Sequence, residues 1–198
     1  MPDRPTVIFQ RHAPALRPEF VPLGFLVEEP AHGYEVYRRF TESLSGLWAV
    51  SESQMYATIK RLQERGLVVA SDGGEHADGD PPRGPGSAKR LLSPSEAGRA
   101  AFASWLAEPT PCSPRILRLE FITRLYFASR LDRGSVAGIL ASQRAEAEIA
   151  IARLRAYRDA GQEGLDPSSL AQSFSDGQLR AVLEWLDGSV AAAVYPRR

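Results

Sequence analysis

Residues 50–67, VSESQMYATIKRLQERGL, carry the clearest helix signal in this chain of 198 residues. Ser51 suits the N-cap position, and Gln54 three residues later completes a capping box, in which each side chain bonds the other residue's backbone N–H. Gly66 supplies the left-handed residue that commonly ends a helix. The sequence therefore predicts a helix that is capped by Ser51 and ends at Arg65.

The two faces of this predicted helix differ in polarity. Met55, Ile59 and Leu62 recur at steps of three and four, so they are predicted to face the core. The polar face is predicted to present Ser53, Gln54, Ala57, Lys60 and Arg61, with Tyr56 at the edge between the faces. An amide and two cations on one face are suited to DNA bases and phosphates. The other interpretation is a solvated charged face that only keeps the protein soluble.

The elements around this helix determine the predicted fold class. In chain order they are predicted helices over 23–28 and 33–44, the capped helix, strands over 67–71 and 89–93, and a helix capped by Ser95 that ends at Leu106. Two helices, a capped third helix and a two-stranded hairpin form a winged helix-turn-helix, in which the third helix enters the major groove of DNA. The expected class is mainly α with a small two-stranded β wing.

The predicted wing has a mixed charge. Its loop, residues 72–88, is rich in glycine, proline and acidic residues, which predicts a long flexible arm. Acidic groups repel phosphate, whereas Lys89 and Arg90 at the second strand attract it. We therefore expect these two cations to contact DNA and the arm to point away. The arm either acts as a built-in competitor that keeps the cations off other DNA or is a spacer.

A proline-rich segment divides the chain. Residues 108–115, EPTPCSPR, cannot continue a helix because prolines restrict themselves and the residues before them. We expect a hinge there, between an N-terminal DNA-binding domain over 1–107 and an α-helical domain over 116–198. In the second half, helices are predicted from Ser113-Pro114 to Leu131, over 132–161 after an Asp132 cap, and over 178–194.

The long predicted helix over 132–161 carries a heptad seam. Such a seam is typical of a helix that packs lengthwise on another helix. The predicted helix is longer than the small second half could bury by itself. The sequence therefore predicts a dimerisation element. The residues predicted to form it are Leu125, Val136, Leu140, Gln143, Ala147, Leu154, Leu183 and Leu186.

Composition excludes several function classes. The chain has 24 basic and 24 acidic residues and one cysteine, Cys112, which rules out an internal disulfide framework and a cysteine-based zinc site. Its three histidines have no ligand-type spacing, so no metal or cofactor is expected. No phosphate loop, carboxylate pair or nucleophile–histidine arrangement points to an enzyme, and no catalytic residue is assigned. No apolar run reaches membrane-spanning length, and we expect a cytoplasmic location without membrane partners.

Five stretches of the chain resemble PadR-type transcriptional regulators. They are LGFLVEEPAHGYEV at 23–36, the capped helix at 50–67, SEAGR at 95–99, LEFITRLYF at 119–127 and EWLD at 184–187. The last two resemble the α-helical C-terminal domain of the longer members of that family. The resemblance implies homodimers that bind operator DNA and usually repress transcription, and it implies a phosphate contact for Tyr56.

The resemblance also implies release from DNA by a small aromatic or amphipathic effector. Four aromatic residues of the second half and its border, Trp105, Phe121, Tyr126 and Trp185, are candidates for lining an effector pocket. Aromatic residues at helical spacing are also typical of an ordinary core. The alternative to a regulator is a protein-interaction module that uses the winged helix as a scaffold, which the acidic arm and the near-neutral first half favour.

Overall fold

The computed structural model describes residues 16–72, 90–158 and 167–190. In chain order the elements are α1 Phe20–Glu28, α2 Gly33–Ser43, α3 Glu52–Glu64, β1 Val68–Asp72, β2 Arg90–Pro94, α4 Glu96–Ala107, α5 Pro114–Ile116, a π-helical segment Leu117–Phe121, α6 Ile122–Leu131, α7 Ser135–Arg158, α8 Pro167–Trp185 and a second π-helical segment Leu186–Val190. The predicted class, mainly α with a two-stranded antiparallel sheet, is confirmed.

The capping box of α3 is formed as predicted. The backbone of Ser51 is extended, with φ −78° and ψ 162°, and its Oγ accepts a hydrogen bond from the N–H of Gln54 at 3.3 Å. In return, Oε1 of Gln54 accepts from the N–H of Ser51 at 2.9 Å. Gly66 has φ +69°, the left-handed conformation expected after the helix.

The wing is an antiparallel pair in which Val68 lies opposite Pro94 and Asp72 opposite Arg90. β1 begins and ends one residue later than the sequence predicted, and β2 ends one residue later. An isolated β-bridge joins the wing to the turn before α2, because Ala31 and Leu92 exchange both backbone hydrogen bonds at 3.0 Å. Lys89 and residues 73–88 of the predicted arm lie outside the described residues.

The first core cluster lies between α1, α2, α3, α4 and the wing. Apolar side chains at Leu23, Phe40, Met55 and Trp105 are among its buried members. Gly98 permits close approach of α4 to the chain before β1, since a Cβ there would lie 2.0 Å from a backbone carbonyl oxygen. Leu119 and Phe127 of the second predicted half also belong to this cluster, so the helices after the hinge share the core of the winged helix.

A second core cluster joins the two π-helical segments, α6 and α7. Its buried members are Leu117, Phe121, Leu125, Ala128, Val136, Leu186 and Val190. The π-helical segment Leu117–Phe121 contributes to both clusters, because Leu119 packs into the first and Phe121 into the second. This segment therefore lies between the winged helix and the C-terminal helices.

The side chain of Gln143 binds the backbone of the proline-rich segment 108–115. Gln143 of α7 is 1% exposed, and its Oε1 accepts from the N–H of Thr110 at 3.0 Å while its Nε2 donates to the carbonyl of Thr110 at 2.7 Å. The prolines break the helix as predicted, and the polar backbone that they leave in the interior is satisfied by this amide.

Two helix boundaries of the second half were predicted wrongly. α7 begins at Ser135 rather than directly after Asp132, whose Oδ1 accepts instead from the N–H of Gly134 at 3.0 Å. α8 begins at Pro167, eleven residues before the predicted start at Gln178. Its first part, PSSLAQSFSDG, has weak helix propensity, but it packs along α7 and tertiary packing overrides propensity.

This packing gives the long helix a partner within the chain. The partner of α7 is α8 of the same chain, so a seam on a long helix does not by itself require a second copy. No helix in the described ranges is both long and apolar enough to cross a membrane.

Candidate nucleic-acid interface

α3 presents the polar face that the sequence predicted. Met55, Ile59 and Leu62 are between 1% and 4% exposed and anchor the helix in the first core cluster. The side chains on the outer face are exposed, namely Ser53, Gln54, Ala57, Lys60 and Arg61, and Tyr56 is half-buried at the edge. The capped helix therefore offers a continuous polar surface on a rigid support.

Gln54 is less available than the sequence suggested. Its Oε1 accepts from the N–H of Ser51 and also from the hydroxyl of Ser51 at 3.1 Å. A bidentate contact with adenine needs both the oxygen and the nitrogen of the amide. The cap therefore competes with base recognition for the same oxygen atom.

The two cations of α3 differ in their surroundings. Arg61 donates from Nη2 to the hydroxyl of Thr58 at 2.9 Å, which directs its guanidinium along the helix. Lys60 lies 3.9 Å from Glu64, and both side chains are more than half exposed. Such a surface ion pair contributes little, so Lys60 can exchange this partner for a phosphate at small cost.

Tyr56 packs against the first residue of α2. A Cβ on Gly33 would lie 2.6 Å from Cε1 of Tyr56, so the ring occupies the space that any other residue would fill. Burial, with a further contribution from the charge of Glu52, raises the pKa of the Tyr56 hydroxyl. A tyrosine hydroxyl is protonated near neutral pH and can donate a hydrogen bond, and this shift favours the protonated form.

A surface groove of about 390 Å³ lies between the start of α2, α3 and β2. It is lined by Gly33, Tyr56, Ala57, Ile59, Lys60, Gln63, Arg90 and Leu92. The groove brings together three of the residues predicted to bind DNA, Tyr56, Lys60 and Arg90, whereas Ser53, Gln54 and Arg61 lie outside its lining. Sequence reasoning missed Gly33 and Gln63, although a glycine at a helix start is a signal of close approach.

His32 fixes β2 relative to α2. The ring atom Nδ1 of His32 lies 3.1 Å from the carbonyl oxygen of Arg90, and the backbone N–H of His32 donates to Oε2 of Glu35 at 2.8 Å. Together with the bonds between Ala31 and Leu92, these contacts place Arg90 at the edge of the groove.

The four residues predicted to line an effector pocket fall into two groups. Trp105 stacks on Phe20 in the first cluster, with centroids 4.8 Å apart, and Tyr126 packs beside the same cluster. Phe121 meets Trp185 edge to face at 5.9 Å in the second cluster. Neither cavity described for the chain is lined by any of the four.

A buried charged cluster at the border of α4 and α6 was not foreseen. Glu120 and Arg124 are 1% and 0% exposed and lie 3.4 Å apart. Oε2 of Glu120 also accepts from the indole N–H of Trp105 at 3.3 Å, and Oε1 accepts from the backbone N–H of Arg17 at 2.7 Å. Arg124 donates to the carbonyl of Glu108 as well. Burial lowers the pKa of Arg124 to about 10, although Glu120 opposes the shift.

The residues predicted for dimerisation are mostly internal. Five of them are buried within the single chain, namely Leu125, Val136, Gln143, Ala147 and Leu186. Leu140, Leu154 and Leu183 are partly buried. The large apolar side chains that α7 and α8 expose are instead Ile149, Leu170 and Phe174, which are 44%, 56% and 67% exposed.

Comparison with known proteins gives a family match for the N-terminal part of the chain. Residues 23–84 match the model of the transcriptional regulator PadR-like family. The chain is 29% identical over 188 residues to the probable transcriptional regulator Rv1176c of Mycobacterium tuberculosis, covering 87% of this chain and 95% of that protein. It is 22% identical over 149 residues to the negative transcriptional regulator PadR of Bacillus subtilis, covering 75% and 77%.

Similar solved structures include Bacillus subtilis PadR in complex with operator DNA, at 21% identity and a TM-score of 0.40 over 89% of this chain and 98% of that one. The virulence activator AphA of Vibrio cholerae is 23% identical, with a TM-score of 0.38 over 90% and 95%. The matched family model and the named relatives all describe regulators, and none describes an enzyme. Residues 23–84 therefore form a PadR-like domain, and the chain is similar over most of its length to transcriptional regulators, which supports a DNA-binding transcriptional regulator.

Proposed function

We propose that the protein is a homodimeric repressor that binds an inverted-repeat operator, with one α3 helix in each of two successive major grooves. The observation that carries this proposal is the exposed polar face of α3, which is capped by Ser51 and adjoins the groove that contains Tyr56, Lys60 and Arg90. Dimers of helix-turn-helix proteins read half-sites about one helical turn apart, which explains the expected symmetry of the operator.

The residues of this surface take two roles in the proposal. Tyr56, Lys60 and Arg90 contact phosphates, because they line the groove beside the start of α2. Lys89 lies outside the described residues and is proposed to add a phosphate contact because it precedes Arg90 in the sequence. The remaining predicted residues, Ser53, Gln54 and Arg61, contact base edges. Gln54 does so through Nε2, since its Oε1 is engaged by the cap.

The dimer forms in this proposal through the outer faces of α7 and α8. Ile149, Leu170 and Phe174 are exposed there, and large exposed apolar side chains are typical of an interaction surface when they are clustered. The partly buried Leu140, Leu154 and Leu183 lie on the same two helices. The five buried residues of the predicted set support these helices from inside.

A small aromatic or amphipathic effector acts in the proposal by shifting the C-terminal helices relative to α3. Trp105, Phe121, Tyr126 and Trp185 pack around α6 and its π-helical segment, which link the two core clusters. An effector that separated these rings would change the link between the clusters. The protein would act in the cytoplasm, where its DNA is.

The experiment that tests this function is selection of bound duplexes from random-sequence DNA, followed by affinity measurements at several salt concentrations. The Lys60→Ala/Arg61→Ala variant should bind the selected duplex weakly, and its salt dependence should be flatter by about one unit of slope for each lost phosphate contact. Arg115→Ala/Arg118→Ala removes the same charge from exposed positions near the hinge and should bind as the unaltered protein does.

Two results would contradict the proposal. One is a selection that yields no inverted repeat, and the other is an unchanged affinity in the Lys60→Ala/Arg61→Ala variant. A protein that is folded and dimeric but selects no duplex would instead fit an interaction module built on a winged-helix scaffold.

A further inference from the structure

The turn before α3 is hydrogen-bonded to a residue from the second half of the chain. Trp48 lies in this turn, three residues before the Ser51 cap, and its indole Nε1 donates to the hydroxyl oxygen of Thr123 at 2.8 Å. Trp48 is 6% exposed and Thr123 is fully buried. A single hydrogen bond shielded from water therefore joins the helix-turn-helix to the start of α6.

The hydroxyl of Thr123 is itself oriented by the π-helical segment. It donates to the carbonyl oxygen of Leu119 at 2.6 Å, and Leu119 lies inside the segment Leu117–Phe121. A threonine hydroxyl has one proton to donate, so this bond leaves its lone pairs for the indole N–H of Trp48. The direction of the bond to Trp48 thus depends on the local geometry of the π-helical segment.

The same segment contacts the C-terminal helices. Phe121, two residues after Leu119, is fully buried and meets the ring of Trp185 at the end of α8 with centroids 5.9 Å apart. A π-helical turn contains one residue more than an α-helical turn, and such turns often occur at functional sites. If the segment returned to α-helical geometry, the residues on its two sides would rotate relative to each other.

We propose that Thr123 is a positioning residue for DNA binding, whose hydroxyl holds the turn at Trp48 and thereby sets the orientation of α3 from the C-terminal helices. The proposal deepens the proposed function and rests on it, because its main readout is affinity for DNA. It requires that the bond between Trp48 and Thr123 affects DNA binding more than it affects folding.

The test compares three single variants on a duplex selected from random-sequence DNA by the unaltered protein. Thr123→Val keeps the shape but removes the acceptor, and it should bind the duplex about fivefold to tenfold more weakly at a temperature where it is fully folded. Thr123→Ser keeps the hydroxyl and should bind within about twofold of the unaltered protein. Thr110→Val is the matched control, since Thr110 is also buried but its hydroxyl has no hydrogen-bond partner among the described residues.

Spectroscopy provides a readout that is independent of DNA. In a ¹H–¹⁵N spectrum, the indole N–H resonance of Trp48 should shift and exchange faster with solvent in Thr123→Val, but not in Thr110→Val. The variant Trp48→Phe should also weaken binding. In a Trp48→Phe background, Thr123→Val should cost much less affinity, because no indole N–H is left without an acceptor.

The outcomes separate the two proposals. Thr123→Val with unchanged affinity, or with a loss that Thr123→Ser and Thr110→Val share, would overturn the positioning role while the proposed function stands. If Thr123→Val does not fold, an unchanged affinity of a folded Trp48→Phe variant would overturn it, because that variant also lacks the bond to Thr123. If the unaltered protein selects no duplex, the proposed function fails, and this inference fails with it.

Discussion

The ring of Tyr56 in α3 occupies the space in which a side chain on Gly33, the first residue of α2, would stand. The nearest ring atom would lie 2.6 Å from a Cβ at that position, which real Cβ contacts do not reach. The second and third helices of the winged helix-turn-helix therefore meet at a contact that only glycine allows, and the same contact forms one wall of the proposed phosphate groove.

The variant Gly33→Ala tests this contact. Alanine is the better helix former, but the added methyl group must displace the Tyr56 ring, and overpacking of this kind costs about 1–3 kcal/mol. We expect a lower free energy of unfolding and weaker binding of the selected duplex. Gly46→Ala is the control, because a Cβ at Gly46 meets nothing within 4 Å. Equal unfolding midpoints for the two variants would contradict the packing described for Tyr56.

The buried pair of Glu120 and Arg124 is expected to be sensitive to loss of one partner. Arg124→Met removes the fully buried partner of the Glu120 carboxylate and leaves the partly exposed Arg17, at 3.6 Å, as its other cation. Breaking a buried pair costs about 3–5 kcal/mol. Arg180→Met breaks the ion pair of Arg180 with Asp176 in α8. This pair also joins residues four positions apart, but it is partly exposed, so its loss should lower the free energy of unfolding by less than about 1 kcal/mol. Chemical unfolding of both variants measures the difference, and similar losses would show that the Glu120 pair is not buried.

The outer faces of α7 and α8 are expected to mediate dimerisation. In the double variant Leu170→Glu/Phe174→Glu, two exposed apolar side chains become charged, and two copies would bring four carboxylates together. Sedimentation should then report a monomer. Val69→Glu changes an apolar residue that is 49% exposed in β1 and should leave the mass unchanged. A stable dimer of the double variant would place the interface elsewhere on the chain.

The thiol of Cys112 is expected to be poorly reactive near neutral pH. Burial, with a smaller contribution from Glu146, raises the pKa of Cys112 to about 11, although a hydrogen bond from Gln143 opposes the shift. Its reaction with a disulfide reagent at pH 8 should be slower in the folded protein than in the unfolded chain, because the thiolate is the reactive form.

The same shift predicts a stability change at alkaline pH. The folded state keeps the thiol proton above the pH at which the unfolded chain loses it, so this stabilisation is complete below about pH 9 and is lost as the pH rises towards 11. Cys112→Ala should therefore lose less stability than the unaltered protein between those values. Parallel unfolding curves of the two proteins over that range would contradict the raised pKa.

Local signals explain why much of the winged helix was predictable. Ser51, Gln54 and Gly66 act through backbone bonds to residues a few positions away, so their effect can be inferred without knowing the fold. The burial of Met55, Ile59 and Leu62 follows in the same way from helical periodicity. The remaining positions of α3 are therefore predicted to be exposed, and they form its polar face.

The candidate site needed information that periodicity does not contain. The sequence proposed Gln54 both as a cap partner and as a base contact, and only the geometry shows that one oxygen serves the cap. The groove depends on Gly33 and Arg90, which come from elements 57 residues apart along the chain. Residues that meet across such distances are set by packing, which no local pattern specifies.

The sequence by itself determined the helix caps, the polar face of α3 and the break at the prolines, because each follows from interactions within one or two helical turns. Tertiary structure decided that Gln143 binds the hinge, that Glu120 and Arg124 pair in the interior, and that α8 begins at Pro167. The contacts of Gln143, Glu120 and Arg124 form because a polar group that is buried away from water needs a polar partner. The first part of α8 has weak helix propensity and is stabilised by packing on α7. Burial is a property of the folded chain, and its effects on charge and helix length therefore appear only there.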